Sequence, residues 1–568
     1  MRKSLVLVLA AVLILGLASV SLAKVLDPKV EPGQIGKYGG TFVDYSINDP
    51  KTFNLVTAKE TSSTGVLSLL VFEGLTEVNY ETMEIEPALA KSWKFSDGGK
   101  VCTFQLRRGV TWQDGQPFTA DDVVFSYQMY FDPAVGSSTR DVFMIDGQLP
   151  QVKKIDTYTV QFILPKPFAP FLVNASAEIL PKHKLEKAYK EGKLTETWGI
   201  NTPVKEIVGT GPWRLADFKP GQRLVYTRNP NYWRVDKAGH TLPYLTRYII
   251  EIVPNLETAS LKFRSGELSA YEVRGEEYRL YKQGEKQGNY TVYNGGPTYA
   301  TLFLVFNQNP NVTKEPKLSW FTNVKFRQAL AYAIDKKTMI ETIYDGNAVP
   351  QWAAISPAQK YYSNPKVKEY PYDLKKAQAV LAEAGFKKDA QGVLRDPKGN
   401  AVEFVINTNS GNSVRERALN IISEDFKKLG IKAIAQPMDF NKLVENLTTP
   451  NPWDAILIGL TGTYDPNGSS NTFGSWGGLH MWWPRQKEPA TQWEARIDEL
   501  MRQGAVTMEP SERRKIYFEV QDILAEQVPM IYTVTPTYLG AIRNTFGNAK
   551  VNAAGGYAWN SWQLFIKK

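Results

Sequence analysis

The chain has 568 residues, with 67 Lys and Arg against 58 Asp and Glu, three His and one Cys, Cys102. A single cysteine excludes an internal disulfide and any metal site built from several thiolates. The net charge of +9 is modest for this length, and the mixed charges of Lys184 to Lys193 and Glu512 to Lys515 read as solvated helix faces, which points away from nucleic acid.

Met1-Arg2-Lys3, an apolar run from Leu5 to Leu15 and Ser21-Leu22-Ala23 match the three parts of a secretory signal peptide over residues 1–23. The expected location is therefore periplasmic or extracellular. No Cys stands at the cleavage point, so a lipid anchor is not expected. What remains is too long for one core and should divide into lobes.

Residues 24–40 are rich in Pro, Gly and Lys and read as extended, leading into a strand at Gly40-Thr-Phe-Val-Asp-Tyr. The block from Leu89 to Tyr127 carries a period-two strand, Cys102 to Arg107, a turn at Asp114-Gly115, and a helix capped by Thr119 with Asp121 and Asp122 in its first turn. To residue 300 the pattern is mostly short strands, such as Thr159 to Leu164, Arg223 to Thr227 and Tyr248 to Val253. Gly209-Thr-Gly211 reads as a tight turn; Arg214 stands where a dinucleotide loop has its third Gly.

Beyond residue 300 strands alternate with amphipathic helices, predicting an α/β lobe with a largely parallel sheet. Asn323 to Asp335 puts Phe326, Leu330 and Ala333 on one face; Tyr372 to Phe386 has Asp373 as its N-cap and Gly385 as its stop; residues 511–527 form another helix. Between strand Val402 to Ile406 and a helix from Arg415, Asn407 to Ser413 reads as a loop with a Ser cap, whose amides and hydroxyls suit ligand hydroxyls or backbone amides alike.

Catalytic signals are sparse. His183, His240 and His480 have no partner at metal-ligand spacing, and no nucleophile elbow, phosphate loop or zinc-protease motif occurs. No cofactor is implied. Asp121 and Asp122 are adjacent on a helix and point apart, so a glycosidase pair would need carboxylates brought together by the fold. More informative are Trp453, Tyr464, Phe473, Trp476, Trp482 and Trp483 among Gly462, Gly468, Gly474, Gly477 and Gly478, with Trp352 in another loop. Rigid aromatics on Gly-rich loops wall clefts; the plainer reading is that about half are core.

The Leu89 to Tyr127 block resembles the signature of the family 5 extracellular solute-binding proteins, the peptide and oligosaccharide receptors of ABC importers. Gly209-Thr-Gly-Pro-Trp with Tyr226 to Trp233, Asn323 to Asp335, Tyr372 to Phe386 and Val528-Pro-Met-Ile-Tyr follow in the family's order. The resemblance implies an α/β fold of two lobes joined by a hinge near 298–303 and 533–538. Lobe I would comprise 24–72, 206–300 and 535–568, with an extra subdomain over 73–205; lobe II would be 301–534. The implied protein is a monomer that closes on a small ligand and delivers it to an ABC permease. Ligand contacts are expected from Trp352, Asn407, Asn409, Thr463, Tyr464, Asp465, Phe473 and Trp476. In peptide-binding relatives an acidic residue before an Asp-Pro pair grips the ligand's amino group; here Asp465-Pro466 is present, but Thr463 replaces the carboxylate. Hydroxyls at Thr463 and Tyr464 suit a sugar, whereas family habit favours peptide, so both stay open. A secreted hydrolase of glycans or peptides and a nickel-type receptor are the alternatives, the latter weakened by the scarcity of His and Cys.

Overall fold

The computed structural model describes residues 25–567, so the signal peptide expected over residues 1–23 lies outside the described residues. In the first lobe Thr41–Ser46 pairs parallel to Arg247–Ile252, and Arg223–Arg228 and Trp213–Lys219 extend the sheet antiparallel. Alternate residues Phe42, Leu215, Leu224, Tyr226 and Tyr248 enter one core, as the period-two geometry of strands requires.

Four antiparallel strands, Ala90–Ser96, Val101–Leu106, Thr159–Ile163 and Gln151–Asp156, carry the helix Ala120–Phe131. Thr119 caps that helix: its hydroxyl accepts from Asp121 N at 3.3 Å while the Asp122 carboxylate accepts from Thr119 N at 2.9 Å. Cys102, Phe104 and Leu106 join the same continuous core as Phe42 and Tyr248, so this layer is fused to the first lobe.

The segment at Gly209 and Gly211 is not the tight turn expected. Neither glycine has a positive φ. The segment runs against Leu70–Val71, with Gly211 N donating to Val71 O at 2.9 Å and Trp213 N to Leu70 O at 3.0 Å. A Cβ on Gly209 would stand 1.7 Å from Val71 O, so close backbone approach is what demands glycine.

The second lobe is built on five strands in the order Lys432–Met438, Glu403–Asn409, Ala455–Leu460, Thr301–Phe306 and Met530–Tyr532. The sheet is largely parallel, as expected, with one strand opposed: Thr301–Phe306 runs against the other four. Glu403–Asn409 is parallel to both neighbours, but Thr301–Phe306 is antiparallel to both of its own. The cause is connectivity: Thr301–Phe306 arrives directly from the first lobe and not by a helical crossover within the second, whereas Met530–Tyr532 follows the helix Pro510–Gln527. Every residue of Thr301–Phe306 is buried. Leu302, Leu304 and Phe306 enter one apolar cluster and Phe303 and Val305 the cluster on the opposite face, which is the signature of a strand covered on both sides.

Two extended segments join the lobes. Tyr290–Pro297 belongs to a sheet with Val534–Arg543, and the chain then enters the second lobe at Thr301 and leaves it after Tyr532. The crossings are tied together, Thr533 N donating to Leu302 O at 2.8 Å and Thr298 N to Pro536 O at 2.9 Å.

Candidate functional site

The lobes meet along a seam of side chains. Asn441 of the second lobe lies 3.3 Å from the Ser62 hydroxyl, Gly478 N donates to Asp141 Oδ2 at 2.9 Å, Asn467 Nδ2 to Val142 O at 3.2 Å, and Arg274 Nη1 to Ser413 Oγ at 2.8 Å. These contacts join the two lobes directly.

Five of the eight expected ligand contacts lie on the stretch after strand Ala455–Leu460. The Thr463 hydroxyl donates to Asp465 O at 2.7 Å, and the Thr463 carbonyl accepts from Gln359 Nε2. Asp465 caps the following turn by accepting from Asn467 N at 2.9 Å and is clamped by Arg513, Nη1 to Oδ2 at 2.5 Å and Nη2 to Oδ1 at 2.6 Å. Both oxygens are therefore engaged inside the lobe. Tyr464 is exposed at 37%, Phe473 is buried in the core, and half-buried Trp476 has the Arg502 guanidinium 4.6 Å from its ring. Thr463 and Phe473 share a small recess with Tyr299 and Tyr532 at the crossing strands.

Trp352 stands apart from that recess. Its ring covers the Lys336 ammonium at 3.5 Å, and Lys336 donates to Gln351 O at 2.8 Å. Burial pushes Lys336 well below the ordinary lysine range. Of the other Trp residues, Trp453 and Trp482 are core.

Asn407 and Asn409 do not lie in a loop. Strand Glu403–Asn409 continues through both, because parallel partners hold the backbone there, on both sides at Asn407 and on the Lys432–Met438 side at Asn409. The cap of the next helix, Ser413–Lys428, is Asn412, not a Ser. Asn407 Nδ2 donates to Gln436 O at 3.0 Å, while Asn409 Oδ1 accepts from Arg415 Nη1 at 2.7 Å.

Arg415 is the residue the sequence left unmarked. It stands in the first turn of its helix at the C-terminal ends of parallel strands, where open α/β sheets receive ligands. Its Nη2 is 3.3 Å from where a Cβ on Gly459 would lie. Among the described residues no carboxylate pairs with it; the residue is half-buried, and the desolvation its surroundings impose lowers its pKa to about 10.

The facing wall of the first lobe carries acids. Asp44 accepts from Tyr248 OH and Tyr557 OH, each at 2.6 Å, yet burial outweighs these bonds and raises its pKa. Glu272 ends the strand Ala270–Glu272 as an exposed residue, and its carboxyl is nevertheless pushed up to about 7, first by desolvation from the chain around it and then by Asp44. Asp44, Thr61, Ser62, Tyr248 and Trp559 line a cavity of about 400 Å³ that reaches the seam at Ser62.

The remaining polar candidates have structural partners. Asp121 pairs with Lys154 at 2.6 Å, and Asp122 accepts from Thr119 N and Lys182 N. His183 meets Asp114, His240 meets Asp236, and His480 meets the Thr472 carbonyl. Among the described residues no group of three His, Cys, Asp or Glu is placed to hold a metal ion.

Comparison with known proteins gives the same architecture. Residues 84–479 match the model of the bacterial extracellular solute-binding proteins, family 5. A probable ABC transporter-binding protein of Deinococcus radiodurans is 29% identical over 531 residues, covering 89% of this chain and 88% of that one. The oligopeptide-binding protein AppA of Bacillus subtilis, solved with a nonapeptide, superposes with a TM-score of 0.81 at 26% identity, covering 94% of this chain and all of that one. MelB of Agrobacterium fabrum, solved with stachyose, gives a TM-score of 0.85 at 21% identity over 97% of this chain and 89% of that one, a likeness of fold. With two mixed α/β lobes joined along a seam, and a family match over most of its length, the chain belongs to the family 5 bacterial extracellular solute-binding proteins.

Proposed function

We propose that this protein is the extracytoplasmic receptor of an ABC importer, that its two crossings near 298–303 and 533–538 act as the hinge, and that its ligand is an oligopeptide. The lobe boundaries are those read from the sequence, with lobe II over 301–534. Leader removal, a monomeric state and the absence of any catalysed reaction belong to the same reading.

The observation that carries peptide over sugar is Arg415. Arg415 is half-buried at the lobe seam, and among the described residues its guanidinium is joined only to the neutral Asn409 oxygen, so it remains open to a negatively charged partner. A ligand carboxylate satisfies it with a charge-assisted, bidentate geometry that a sugar hydroxyl does not match. On the other wall Asp44 and Glu272 offer carboxyls with raised pKa values, whose ionised forms a ligand ammonium would stabilise, a role that Thr463 cannot fill. The hydroxyl of Thr463 is itself engaged by the Asp465 carbonyl. Tyr464 and Trp476 then serve as apolar walls. AppA's nonapeptide agrees with this reading, and MelB's stachyose marks the competing one.

A thermal-shift screen of di- to pentapeptides beside stachyose and related oligosaccharides tests the reading, because a ligand far above its Kd raises the melting temperature by mass action. Shifts with peptides and none with sugars are expected. Shifts with sugars alone would reverse the assignment.

A further inference from the structure

A second cavity, about 440 Å³, adjoins the one at Asp44 and shares Ser68, Leu69 and Trp559 with it. Its lining holds six carboxylates, on Glu31, Glu73, Glu77, Glu81, Glu86 and Glu178, against three cations, on Lys29, Arg234 and Lys550. The cations are already committed. Arg234 pairs with Glu31 at 2.6 Å and with Glu77 at 2.5 Å, Lys29 with Glu86 at 2.8 Å and also with Glu77, and Lys550 with Glu81 at 2.6 Å. Glu73 receives Trp233 Nε1 and Tyr232 OH at 2.7 Å each. Among the described residues Glu178 alone of the six has no cation within ion-pairing distance, Arg234 standing 3.6 Å from Glu73.

The remaining walls are aromatic. Tyr80 meets Trp559 edge-on at 5.7 Å, and Trp559 meets Trp562 at 6.5 Å. Trp562 is 5% exposed, lines the cavity and has an indole N–H without any acceptor; the Trp559 N–H lacks one too. Buried donors are rarely left open, so these N–H groups are available to an acceptor that enters the cavity. The backbone of Glu178 is fixed in place, since its carbonyl accepts from Tyr130 OH at 2.7 Å and the residue bridges to Gly74. Leu69, where the two cavities join, holds φ at +62°, a strained conformation for a branched side chain of the kind found at ligand sites.

Resting on the reading of the protein as a peptide receptor, we propose that this cavity is the inner end of the ligand chamber. There it seats a guanidinium or ammonium group of the ligand between Glu178 and the ring of Tyr80, beside Trp559, whose own ring the Lys550 ammonium approaches at 5.7 Å, with a ligand carbonyl accepting from the indole N–H groups. Aromatic faces and a carboxylate together form the setting in which organic cations bind. Burial raises the Glu178 pKa, consistent with a carboxyl lacking its counter-ion.

Isothermal titration of the full protein with agmatine, and with pentylurea as its neutral counterpart, tests this. Agmatine should bind saturably and pentylurea at least tenfold more weakly. Glu178→Gln should weaken agmatine at least tenfold, and Tyr80→Leu, on the partly exposed side of the cavity, should weaken it several-fold should the first variant fold poorly. Equal binding of the two compounds, no agmatine binding, or unchanged binding in both variants overturns the proposal. Peptide binding without agmatine binding removes this cation seat and leaves the receptor reading intact. Agmatine binding without peptide binding supports the seat and removes the peptide reading.

Discussion

Arg513 holds Asp465 through both guanidinium nitrogens, at 2.5 and 2.6 Å, in a pair that is 5% and 10% exposed. The two are 48 residues apart, and their union turns the acid of the Asp-Pro pair into an internal strut of the second lobe. Asp465→Asn would strand the Arg513 charge. We expect it to lower stability by about 3–5 kcal/mol in denaturant unfolding, with ligand affinity of the remaining folded protein within a few-fold of wild type. A large affinity loss with unchanged stability would place Asp465 on the ligand.

Gly209 tolerates no side chain. The added methyl of Gly209→Ala meets the Val71 carbonyl at 1.7 Å, an overlap that requires the two segments to part. The expected cost is about 3 kcal/mol or more, seen as a lower unfolding midpoint or loss of soluble protein. Gly211→Val should do the same, its Cβ falling 2.5 Å from Leu70 O.

Trp352→Ala removes the ring over Lys336 and should destabilise through lost cation–π and packing energy, the former about 2 kcal/mol at a desolvated site. Peptide affinity should change little, because Trp352 sits in a recess separate from the Thr463 loop. Calorimetric unfolding beside a peptide titration separates the two effects.

Glu272 gives a pH signature. Its pKa is raised from 4.5 to about 7, so the folded protein keeps a proton that the unfolded chain has already released within that window. Stability of the ligand-free protein should therefore fall as pH rises from about 4.5 to 7, and Glu272→Gln should flatten that decline. An unchanged slope in the variant would mean that Glu272 titrates normally.

Local features were readable from the sequence because their causes are local. Thr119 and Asp373 cap the helices expected of them, Asp373 accepting from Lys376 N at 2.9 Å, and Gly385 takes φ +85° as a helix stop should. Features that depend on a distant partner were not. Gly209 looked like a turn because Val71, which forbids a side chain there, lies far back in the chain. Asn407 and Asn409 looked like a loop because their side chains favour turns, but parallel pairing, two-sided at Asn407 and with Met438 at Asn409, overrules that preference. Asp44 and Glu272 come together only when strand Thr41–Ser46 and strand Ala270–Glu272 are folded into one wall. Arg415 carried one available hint, a cation following Asn-Ser-Gly-Asn at a strand-to-helix junction, and its missing partner is visible only in three dimensions.

The most direct test is calorimetric titration of trialanine and of trialanine amide into wild type and Arg415→Gln. Arg415 as the carboxylate partner requires trialanine to bind wild type at least tenfold more tightly than the amide, with that preference lost in the variant. Equal binding of both peptides to wild type, or a preference that survives Arg415→Gln, would contradict it.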